Sequence, residues 1–135
     1  MNFDKFKKTC VEHYEEIVNA FCESASSYNI VFPKNEVEYT YYFENNDDNN
    51  KYSFIIAGET YYNDLTGTAS LVIIMDNEEK EVRCRLNIQY DCYGANVHDK
   101  GPKFTENFKI EDSYSNFETN EFWQLLADNI SLITY

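Results

Sequence analysis

Residues 68–92 read TASLVIIMDNEEKEVRCRLNIQYDC, and this stretch decides the fold. Positions 71–75 form an unbroken apolar run. From position 81 the chain alternates: Val82, Cys84, Leu86, Ile88, Tyr90 and Cys92 fall on one side, and Glu81, Arg83, Arg85, Asn87, Gln89 and Asp91 on the other. A period of two marks a half-buried strand, because successive side chains point to opposite faces of a sheet. The spacing predicts two long antiparallel strands joined by an acidic turn over residues 76–80.

Toward the N-terminus, Val37, Tyr39, Tyr41 and Phe43 alternate with Glu36, Glu38, Thr40, Tyr42 and Glu44, which predicts a strand over 36–44. The polar tract 45–50 reads as a hairpin loop and 51–57 as the returning strand. Residues 58–67, with a glycine at each end and polar residues between, read as a loop or short edge piece. On the far side, 94–102 reads as a loop and 103–110 as a further strand. Phe3, Phe6, Cys10, Tyr14, Ile17, Phe21 and Ala25 recur at three- and four-residue steps, predicting one amphipathic helix over 3–27. Ser115-Asn116-Phe117-Glu118 resembles a capping box. The helix it opens carries Phe122, Leu125, Leu126, Asn129, Ile130 and Ile133 on one stripe, with Trp123 beside it. The expected architecture is a single α+β domain over 1–135, an antiparallel sheet of about five to six strands with an N-terminal and a C-terminal helix packed on one face.

Composition agrees. A chain of 135 residues with 43% apolar content suits one core, and 12 Tyr and 10 Phe against 4 Gly and 2 Pro favour sheet. The 24 acids outnumber 11 bases, leaving a net charge of −13. Such a field repels nucleic acid and anionic membrane surfaces and attracts basic partners. No run approaches the roughly 18 apolar residues of a membrane span. Charged residues follow the N-terminus where a signal peptide needs an apolar stretch, so the expected location is cytoplasmic. The four cysteines are then expected to be reduced and to serve the core.

Motifs for chemistry are missing. His98 and Asp99 adjoin in a loop, but no nucleophile accompanies them, and the only other histidine, His13, lies among helix acids. Cys10, Cys22, Cys84 and Cys92 have no metal-ligand spacing, and the 46–50 tract lacks the calcium-loop pattern. The reading is of a non-enzymatic protein with no cofactor, metal or catalytic residue.

What remains is the distribution of acids. Glu12, Glu15, Glu16 and Glu23 share a flank of the first helix, Glu36, Glu38 and Glu44 alternate outward on the first strand, and Glu78, Glu79 and Glu81 crowd the central hairpin tip. Carboxylates on rigid elements can imitate the anionic rails that a nucleic-acid channel holds. The expected contact set is Glu36, Glu38, Glu78, Glu79 and Glu81, with Tyr42 as an aromatic anchor. In size and composition the chain is similar to phage anti-restriction and anti-CRISPR proteins, a likeness that no motif carries. The expected function is inhibition of a basic nuclease or other nucleic-acid-binding protein by nucleic-acid mimicry. An immunity protein or antitoxin neutralising a basic toxin is the alternative. A ligand-binding α+β domain, with aromatics and His98 or Tyr90 lining a pocket, is the third.

Overall fold

A computed structural model describes residues 1–24, 38–62, 65–92, 100–110 and 116–131, with side chains described within 1–21, 38–59, 70–85 and 116–130. Among the described residues five strands follow one another: β1 (Glu38–Asn46), β2 (Lys51–Tyr62), β3 (Leu65–Asp76), β4 (Glu81–Cys92) and β5 (Lys100–Ile110). They form one antiparallel sheet in the order β1-β2-β3-β4-β5, so each strand lies beside its neighbour in sequence. Three helices among the described residues accompany it: α1 (Phe3–Glu12), α2 (Tyr14–Ser24) and α3 (Asn120–Ser131). The α+β class and the packing of helices on one sheet face agree with the sequence.

The alternation at the central hairpin sets the two faces. Leu71, Ile73 and Met75 of β3 and Val82 and Cys84 of β4 are buried. Register places Ile73 beside Phe54 and Cys84, and Phe54 beside Phe43. This inner face joins Phe6 and Cys10 of α1, Ile17 and Phe21 of α2, and Phe122, Trp123, Leu126 and Ile130 of α3 in one core. Rings do much of the filling. Phe6 stacks on Phe117 at 5.4 Å, and Phe43 on Phe54 at 4.9 Å. Among the described residues, Tyr14, Tyr39, Tyr41 and Tyr52 pack against core phenylalanines.

Four boundaries depart from the sequence reading. First, the N-terminal helix breaks at His13, whose φ of −108° and ψ of 5° are not helical. The apolar period continues through the break, which is why the sequence shows one helix. His13 still accepts from the Ile17 N–H at 3.3 Å, so the second helix starts at once.

Second, residues 58–62 and 65–67 belong to long strands and not to a loop, with β2 and β3 paired from Lys51 with Asp76 to Tyr62 with Leu65. Gly58 sits opposite Tyr39, and a Cβ there would come within 2.6 Å of the Tyr39 ring. The ring fills the space that a side chain would take, so the glycine does not end the strand.

Third, β5 begins at Lys100. Its register against β4 shifts between Gln89 and Asp91, where Gly101 and Pro102 fall. A proline without a ladder donor is accommodated at such an irregularity on an edge strand.

Fourth, α3 begins at Asn120 and is capped by Thr119. The Thr119 hydroxyl accepts from the Phe122 N–H at 3.4 Å and donates to the Asn116 carbonyl at 2.6 Å. Ser115 lies outside the described residues, and Glu118 pairs with Lys5 at 3.0 Å, tying α1 to the approach to α3. The buried stripe is also rotated. Trp123 is fully buried and donates from Nε1 to the Phe117 carbonyl at 2.8 Å, whereas Leu125 is 50% exposed. No helix among the described residues is long and apolar enough to cross a membrane.

Candidate functional site

The predicted contact residues do not form one patch. Glu36 lies outside the described residues. Glu38 opens β1 opposite Glu59, and Tyr42, 53% exposed, stands mid-strand opposite Ile55. Glu78, Glu79 and Glu81 lie at the other end of the sheet, where Asn46 pairs with Lys51 and Lys51 with Asp76. Eight strand residues separate Glu38 from that end, roughly 26 Å at strand rise.

The structure does bring the hairpin tip beside the polar 45–50 tract. Asp47–Asn49 forms a short 3-10 turn, Asn50 takes a left-handed conformation with φ 54°, and the Asn77 N–H donates to the Asn50 carbonyl at 3.0 Å. Asp76 organises the tip. Its buried carboxylate accepts from the Glu78 and Glu79 N–H groups at 3.1 Å and faces Lys51 at 3.8 Å. That leaves Glu78 and Glu79 exposed beyond a rigid turn. Glu81 is half-buried and held by Arg83 at 3.1 Å along the same strand. Arg83 and Arg85 have Ile74 and Val72 as cross-strand neighbours on β3, so neither faces an acid directly across that ladder.

A second acidic surface was not singled out from sequence. Helices α2 and α3 lie side by side, and the groove between them has two overlapping sections, of about 400 and 600 Å³. Glu15, Glu16 and Asn19 line one wall, and Asn120, Glu121, Gln124 and Asp128 the other. Ala20 and Ala127, both nearly buried, form the floor, and exposed Leu125 stands at the lip. No lysine or arginine is among these lining residues. The groove is placed by the core beneath it: Ile17 and Phe21 on α2, and Trp123, Leu126 and Ile130 on α3, all face inward. The available signal in the sequence was the four- and three-residue stepping of Glu121, Leu125 and Asp128 on one side of the last helix. Its partner wall lies a hundred residues away in the chain.

The break at His13 belongs to this layer. Its imidazole stacks on Trp123, with ring centroids 4.7 Å apart and planes within 4°. Its Nδ1 lies 3.1 Å from Glu16 Oε2, so the groove wall is anchored to the core through this residue. Tyr14 follows it and packs against Tyr41 at 4.6 Å. Burial, then the Tyr41 hydroxyl, raises its phenol above the ordinary range.

Chemistry elsewhere is sparse. Cys10 and Cys84 are buried free thiols, and burial pushes both up, Cys84 to about 12, so neither is a ready nucleophile. Among the described residues, no three His, Cys, Asp or Glu side chains converge on a metal position. His98, Asp99 and the side chain of Tyr90 lie outside the described residues. Comparison with protein-family models, curated proteins and solved structures finds no match to this chain.

Proposed function

We propose that this protein is a non-enzymatic inhibitor of a basic nucleic-acid-handling protein, occupying with carboxylates the surface that nucleic acid would otherwise contact. The observation that supports this reading is the α2–α3 groove. Glu15, Glu16, Glu121 and Asp128 line it, none of the lining residues is a lysine or arginine, and Leu125 gives it an apolar lip. The net charge of −13 accelerates encounter with a basic surface, and the groove supplies a rigid, partly apolar seat for it. Glu78 and Glu79, fixed by the Asp76 turn, are the second contact, with Glu81 behind them.

The test is capture of a basic partner by the purified protein, followed by measurement of that partner's nucleic-acid binding. Saturable binding that slows with rising salt and displaces nucleic acid is the expected result. Replacing Glu15, Glu121 and Asp128 together by lysine should weaken that binding, with folding of the variant confirmed by circular dichroism. A captured partner that retains its nucleic acid, or binding indifferent to these three changes, would remove the reading.

A further inference from the structure

The sheet face turned away from the helices carries a pattern of its own. The core that unites the helices leaves out Tyr42, Ile55, Val72 and Ile74, which occupy the opposite face; Tyr42 is exposed there, Val72 and Ile74 are half-buried, and Ile55 is 9% exposed between them. Register sets them in rows. One row reads Tyr42, Ile55, Val72, Arg85 from β1 to β4, and the next reads Glu44, Ser53, Ile74, Arg83. Each row thus passes from a tyrosine or a glutamate at the β1 edge, through a mainly aliphatic centre, to an arginine on β4. These eight positions hold one acid and two bases, so this part of the face carries none of the chain's negative excess. Neither Glu44 nor Arg85 makes an ion pair among the described residues.

We propose that this face is the interface of a two-fold dimer, its occupant a second copy of the chain. A two-fold axis running parallel to the strands, between β2 and β3, lays the β1 edge of each copy over β4 of the other. Glu44 then meets the partner copy's arginine side, Tyr42 offers its ring to a guanidinium, and the half-buried Val72 and Ile74 give up their remaining exposure. Arg83 already bonds Glu81, but a guanidinium has five N–H donors and retains capacity for a second carboxylate. The charge pattern also selects the axis. A two-fold lying across the strands would set Glu44 over its own copy and the arginines over each other, which like-charge repulsion opposes. The size is adequate. Four strands about 4.8 Å apart and up to about 40 Å long give a footprint on the order of 700 Å² per copy, near the roughly 800 Å² of a standard interface. The groove between α2 and α3 is in the helix layer on the other side of the sheet, so this interface leaves that groove open.

Sedimentation equilibrium across a concentration series tests it with the intact chain. The expected mass is twice the 16.0 kDa of one chain. Glu44→Arg alone and Arg83→Glu alone should each weaken association by about tenfold or more, since each reversal acts at two symmetry-related contacts. The double variant should recover dimerisation, because the exchanged charges again face each other. Circular dichroism melts confirm that all three variants fold, which two exposed positions permit. A monomer at every concentration, a dimer indifferent to both single reversals, or a double variant no tighter than the singles would each overturn the proposal.

Discussion

The imidazole of His13 lies flat against the indole of Trp123, 4.7 Å away, at the point where the N-terminal helix breaks. Trp123 is the sole tryptophan in the chain, so tryptophan emission reports on the surroundings that this stack helps to close. His13→Ala removes the stacked ring and opens that side of the indole to water. Emission should shift to the red and acrylamide quenching should rise in that variant, with helix content retained by circular dichroism. Unchanged emission and quenching would show that the imidazole does not shield the indole.

Asp76 gives a test of the hairpin end. Its carboxylate satisfies two backbone N–H groups and faces one ammonium from a buried position. Asp76→Ala should cost about 1–3 kcal/mol in urea unfolding, because both donors of the turn lose their acceptor. Asp76→Asn keeps a carbonyl acceptor and should cost less, losing mainly the attraction of Lys51. Equal losses in the two variants would show that the ion pair, and not the turn, is what Asp76 contributes.

The buried thiols predict instability in alkali. Burial raises Cys84 from 9.0 to about 12, and burial together with Cys84 raises Cys10 as well. A folded state that resists ionisation is favoured fully below the unfolded thiol's titration and loses that advantage as pH climbs above it. Stability should hold up to about pH 9 and then fall by up to about 1.4 kcal/mol per pH unit for each thiol. Cys84→Ala should flatten this slope. Alkylation mapped by mass spectrometry should find both residues unreactive until denaturant is added.

Much of the fold could be read from one hairpin, because alternation over β4 leaves a single choice of inner face. Tyr39 shows why the neighbouring strands were harder. Gly58 looks like a strand terminator until the ring opposite it is seen to fill its space. His13 is a similar case: apolar spacing runs through a helix break without interruption, and only the stack on Trp123 shows what holds the bend. Trp123 itself falls one position off the expected stripe, yet it is fully buried and bonded to Phe117. The acids were visible as a total but not as a surface. Glu15 and Glu16 meet Glu121 and Asp128 only because α2 and α3 pack together, a pairing that no local pattern encodes.

The strand order has a consequence for the time course of synthesis. Each hairpin can close as soon as its second strand is available, with little loop entropy to overcome, so the sheet can assemble in the order of translation. Its inner face must wait. Phe117, Trp123 and Ile130, which cover that face together with α1 and α2, follow the last strand by up to twenty residues. At about 5–20 residues per second, a nascent chain carries an incompletely covered aromatic sheet for about one to four seconds. Slow codons between residues 110 and 131 would lengthen that interval, and aggregation during expression should respond to them more than to changes anywhere within the sheet.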